Sequence, residues 1–160
     1  MNILFLGDIV GNSGCAAIKK FLPKIIKSKK VNFVAVNGEN AAKDGVGITE
    51  NIVNELLSCG VDVITTGNHV WDHKETFEFI NKQKRLLRPL NLSGVVPGDG
   101  FGIYNTVGGH KIGVLNLMGN VFMKKCDDVF IKSKKFIEEN KLKEEYDFLI
   151  VDFHGEITSE

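Results

Sequence analysis

VDVITTGNHVWD, residues 61–72, is an apolar run that breaks off in a glycine, an amide, an imidazole and a carboxylate. A short run of this kind, rich in β-branched residues, reads as a strand buried on both faces, the habit of parallel sheets covered by helices. Three further stretches repeat the pattern: LFLGDIVG (4–11), FVAVNGEN (33–40) and DFLIVDFHGE (147–156). Open α/β sheets bind their ligands in the crevice beyond the carboxyl ends of the strands. The pattern therefore predicts that Asp8, Glu39, Asn40, Asn68, His69 and His154 gather in one place.

The segments between these runs fit an α/β chain. Strands are expected at 2–10, 31–37 and 61–66, with a turn at 11–14 and a helix at 15–29. In that helix Ile18, Leu22, Ile25 and Ile26 recur at helical spacing, and Pro23 predicts a kink or an early stop. Thr49 is placed to cap a helix that runs to Leu57 and closes near Gly60, and Asp72 to cap a short helix holding Phe77 and Ile80. The basic stretch 82–88 and the Pro/Gly-rich segment ending near Gly102 read as a solvated connection. A hairpin is expected from 103–107 and 111–117, followed by the loop GNVFMKKCDD (119–128), an amphipathic helix at 129–142 and another buried strand at 146–153. No repeat, low-complexity tract or linker divides the chain, so residues 1–160 read as a single domain.

Composition narrows the function classes. The chain is 43% hydrophobic and 25% charged, with 20 basic against 20 acidic side chains, so no global field favours nucleic acid or a membrane surface. Cys15, Cys59 and Cys126 are odd in number and widely spaced, which points away from a disulfide framework or a thiolate zinc site and toward a reducing cytoplasm. No stretch approaches the ~18 apolar residues of a membrane span. The first apolar run breaks at Asp8 and has no basic residues before it, so an unexported chain is expected.

The strand-end residues have the chemistry of a metal site. Carboxylate oxygens, amide oxygens and neutral imidazoles suit a pair of divalent ions that act on phosphate esters. Each residue also has a plain structural use: Asp8 as a turn residue, Glu39 and Asn40 as strand terminators, Asn68 and His69 as partners of backbone groups, His154 as a satisfied core histidine. Coincidence at four strand ends is the harder account. Trp71 reads as a packing anchor and the cysteines as small buried apolar residues. Gly7, Gly11 and Gly14 do not form the spacing of a dinucleotide-binding turn, so that alternative is set aside.

GDIVG (7–11), NGEN (37–40), TGNHVWD (66–72) and DFHGEITSE (152–160) resemble the metallophosphoesterase superfamily, and within it the YmdB-like cyclic-nucleotide phosphodiesterases. The resemblance spans the whole chain. It implies a sandwich of β-sheets flanked by helices and two divalent metal ions, iron or manganese by preference, with zinc and magnesium left open. Asp8 and Glu39 would hold the first ion with Asn40 beside it, Glu39 would bridge to a second held by Asn68 and His154, and His69 would be the catalytic histidine. The implied substrate is a phosphodiester such as a 2′,3′-cyclic nucleotide. Members of that family continue for roughly a further hundred residues, where a GTHTH-like loop adds a histidine to each metal. The histidines that remain here, His73 and His110, lie in no such motif. The sandwich is thus expected to be incomplete on its C-terminal side, with weak metal binding and little turnover. The competing expectation is an impaired fragment that serves as a binding or regulatory protein, or has no function of its own, and whose exposed face favours a homo-oligomer.

Overall fold

Strand β2, Phe33–Asn37, is buried at every position and organises the molecule. In the computed structural model, which describes residues 1–157, it lies between β1 (Ile3–Leu6) and β3 (Val63–Thr65) in a parallel sheet. Helices α1 (Gly11–Lys29) and α2 (Glu50–Ser58) make the two crossovers that parallel pairing requires. Helix α3 (Lys74–Phe79) and a single 3-10 turn at Ile80–Lys82 follow β3. A second sheet has the order β4 (Phe101–Asn105), β5 (Lys111–Met118), β6 (Phe148–His154), antiparallel in its first pair and parallel in its second, with α4 (Val129–Glu139) as the crossover.

The period of two along a strand assigns each face. Val34 and Val36 of β2 pack with Ile64 against Cys15, Leu22, Val53 and Leu56 of the two helices, whereas Phe33, Ala35 and Val63 meet Ile112 and Val114 of β5. Leu115 and Leu117, on the other face of β5, pack against Val129 and Phe136 of α4. The layers are therefore helix, sheet, sheet, helix. Two Asn side chains tie the sheets: Asn116 Oδ1 accepts from the Thr66 amide at 2.9 Å, and Asn37 Nδ2 donates to Asp152 Oδ2 at 2.9 Å.

Several expectations need correction. Helix α1 begins at Gly11 rather than Cys15 and runs through Pro23 without stopping. The last strand is not buried as expected: Val151 and Phe153 are exposed on the face turned away from the first sheet, where only Leu149 reaches the α4 cluster, and Phe148, on the opposite face, is exposed at the start of the strand. The stretch 82–88 is more than a solvated connection, since Leu86 and Leu87 are fully buried, Ile64 bridges Leu86, and Arg85 and Arg88 donate to backbone carbonyls. The three cysteines form no disulfide, and only Cys15 is buried. Trp71 does anchor its loop, edge-on to Phe77 at 5.2 Å. Among the described residues no helix is long and apolar enough to cross a membrane.

Candidate functional site

The parallel strands deliver their chain reversals to one edge of the molecule, and the parity of β6 supplies the remaining group. Residues 150, 152 and 154 share the face turned toward the first sheet, so Asp152 meets Asn37 and His154 meets Glu39. Glu39 is 1% exposed and sits just beyond β2. Its Oε2 is 2.7 Å from His154 Nε2, its Oε1 accepts from the His69 amide at 3.2 Å, and its own amide donates to Asn37 Oδ1 at 3.0 Å. His154 Nε2 also faces Asn68 Oδ1 at 3.0 Å. Asp8 is linked to the group through Asn40, whose Nδ2 donates to Asp8 Oδ2 at 2.9 Å.

This arrangement leaves oxygens unanswered. One ring nitrogen faces a carboxylate oxygen and an amide oxygen, yet it carries at most one proton. When that proton is aimed at Asn68, Glu39 Oε2 has an ion-pair neighbour but no hydrogen bond, and Asn40 Oδ1, also shut from solvent, has no donor. Buried oxygens without donors are costly, and cations bound at them would answer that cost. Gly67 keeps the space open: a Cβ built there would overlap Glu39 Oε2 and the His154 ring. Burial pushes the His154 pKa down, but its pairing with Glu39 and the charges of Glu39, Asp152 and Asp8 outweigh this and hold it above the ordinary imidazole value. Among the described residues no three His, Cys, Asp or Glu side chains are grouped so as to hold a metal, so an ion here would draw on other donors, of which the amide oxygens of Asn40 and Asn68 are available.

His69 stands beside this group. Its Nδ1 is 2.6 Å from Asp72 Oδ2, and Asp72 Oδ1 is 3.0 Å from Lys124 Nζ. Asp72 is thus not the helix cap expected for it. The N-cap of α3 is His73, whose ring instead faces Val46 O at 3.0 Å and Asp44 Oδ1 at 3.3 Å, without a side-chain cap bond. The motif 152–160 ends in Thr158, Ser159 and Glu160, which lie outside the described residues. A separate cavity of about 750 Å³ between α1 and α2, lined by Asn12, Lys43, Asp44 and His73 among others, contains none of the six predicted residues. Sequence reasoning missed Asn37, Gly67, Asp72 and Asp152. Asp152 was legible from its parity with His154, and Asp72 from its spacing of three from His69.

Layers, strand ends and the cluster at their carboxyl edge define a metallophosphoesterase-like α/β chain. The model of the YmdB-like protein family matches residues 4–160, and the chain belongs to that family. It is 43% identical over 160 residues to the 2′,3′-cyclic-nucleotide 2′-phosphodiesterase of Bacillus subtilis (strain 168), all of this chain against 59% of that protein. Solved structures are similar as well. One is a hypothetical protein from Thermus thermophilus, with a TM-score of 0.89 and 37% identity, covering 100% of this chain and 60% of the other. The second is a novel phosphatase from Mycoplasma pneumoniae, with a TM-score of 0.86 and 32% identity, covering 98% and 56%. The chain therefore spans somewhat less than two thirds of the relatives it matches.

Proposed function

We propose that this chain carries the catalytic strand-end loops of a metal-dependent phosphodiesterase, acting on small phosphodiesters such as 2′,3′-cyclic nucleotides. The observation that supports it most is the pair of shielded oxygens without donors, Glu39 Oε2 and Asn40 Oδ1, beside a histidine nitrogen that faces both Glu39 Oε2 and Asn68 Oδ1. Asp8, Glu39, Asn40, Asn68 and His154 would hold two divalent ions, iron or manganese by preference, while zinc and magnesium stay compatible with these donors. Bound ions of this kind supply an activated water and neutralise phosphate charge. The protein's own part is to exclude alternatives to that geometry and to move a proton. Glu39, buried and held by the His69 amide, offers its second oxygen in a fixed direction. His69, held through Nδ1 by Asp72, has Nε2 available to protonate the leaving ribose oxygen, and the Asp72 carboxylate stabilises the imidazolium form that gives up that proton. The B. subtilis relative, named for this activity, supports the substrate class.

The uncovered side of β6 favours a second reading, a binding or regulatory role with impaired catalysis. Both are tested by metal analysis together with hydrolysis of bis-p-nitrophenyl phosphate and 2′,3′-cyclic AMP by the manganese-loaded chain. Slow turnover that Asp8→Asn and His69→Ala abolish is the expected result. A protein that stays metal-free and inert overturns the phosphodiesterase reading.

A further inference from the structure

The loop after β5 begins and ends on fixed points. Buried Asn91 donates through Nδ2 to the carbonyls of Met118 (2.7 Å) and Asp127 (3.0 Å), and the Gly119 amide donates to the carbonyl of His154 at 2.8 Å. From this clamped base the loop carries Lys124 across to the other sheet's strand-end loop, where Nζ meets Asp72 Oδ1 at 3.0 Å. Asp72 thus uses its two oxygens separately, one for Lys124 and one for His69 Nδ1. A carboxylate held through one oxygen still swings about its broad terminal torsion, whereas contacts at both oxygens fix its plane.

We propose that Lys124 is a positioning residue for His69, fixing the Asp72 carboxylate so that the imidazole is held by Nδ1 and presents Nε2 to the leaving oxygen. This rests on the phosphodiesterase reading and extends it to a residue outside the strand-end motifs. The Lys124 side chain is 56% exposed, and an exposed ion pair adds little to stability. Its contribution is to orientation.

Wild type, Lys124→Met and Lys124→Arg are compared as the 160-residue chain loaded with manganese. One substrate is a 2′,3′-cyclic nucleotide, whose departing ribose oxygen needs a proton; the other is bis-p-nitrophenyl phosphate, whose nitrophenolate leaves unaided. Lys124→Met is expected to lower kcat on the cyclic nucleotide about ten- to a hundredfold, the range found when a supporting contact behind a reactive group is removed, with KM little changed. The loss on bis-p-nitrophenyl phosphate is clearly smaller, and Lys124→Arg restores the cyclic-nucleotide rate. Equal losses on both substrates, or none, overturn the proposal. Ring 15N shifts of His69 in the metal-free chain test the same point without turnover: the Nδ1-protonated tautomer predominates in wild type and Lys124→Arg and becomes mixed in Lys124→Met. Should wild type hydrolyse neither substrate, the phosphodiesterase reading fails separately, and an unchanged His69 tautomer in Lys124→Met then overturns this inference.

Discussion

At the scale of single residues, the least conspicuous side chain of the site, the hydrogen of Gly67, has the sharpest consequence. Gly67→Ala places a methyl group on Glu39 Oε2 and the His154 ring. Displacing those groups is expected to cost about 1–3 kcal/mol, as overpacking commonly does, and to remove metal binding as well. Chemical denaturation and metal titration of the variant check both. Asp72 yields a pH prediction. Burial raises its pKa, but hydrogen bonds from His69 and Lys124 outweigh this and hold it below the usual carboxylate value. A depressed carboxylate contributes stability above its unfolded pKa of about 3.9 and loses that contribution as pH falls through its folded value. The melting temperature of metal-free Asp72→Asn should therefore trail wild type at neutral pH and converge with it in acid; a constant gap would contradict this assignment. The motif residues were legible because strand-end chemistry is local in sequence. Lys124 was not, since it lies 52 residues from Asp72 and only the fold brings the two together.

At the scale of elements, caps and parity were readable, whereas the extent of coverage was not. Thr49 caps α2 as its position predicted, accepting from the Ile52 amide at 3.4 Å, and Thr49→Ala should cost about 1 kcal/mol in urea unfolding without altering metal affinity. Pro23 misled because a proline argues for a break only on local grounds. Leu22 beside it is 1% exposed and packed with Cys15 against the first sheet, so tertiary packing holds α1 together through the missing backbone bond. The apolar run of β6 misled in the opposite direction. Phe148 to Phe153 have the composition of a strand covered on both faces, but composition does not say whether a neighbour arrives.

At the scale of the whole molecule, the site depends on holding two sheets in register, since Glu39 comes from one and His154 from the other. Asn116 does this from the centre of β5: it is fully buried, takes the Thr66 amide on its side-chain oxygen, and donates to the Asp152 carbonyl at 3.4 Å. Asn116→Leu leaves the Thr66 amide without a partner and is expected to cost about 1–3 kcal/mol in unfolding experiments. It should also weaken metal binding, because Asp152 and His154 share that strand face. The topology that makes this possible, parallel strands sending their ends to one edge, follows from the four apolar runs; the antiparallel hairpin that introduces the second sheet was legible from its turn. Manganese titration of wild type and Glu39→Gln, followed by calorimetry, decides whether the strand-end cluster holds metal. The site described here predicts saturable binding by wild type that Glu39→Gln abolishes while leaving the fold intact. Equal binding by the two proteins, or none by wild type, would contradict it.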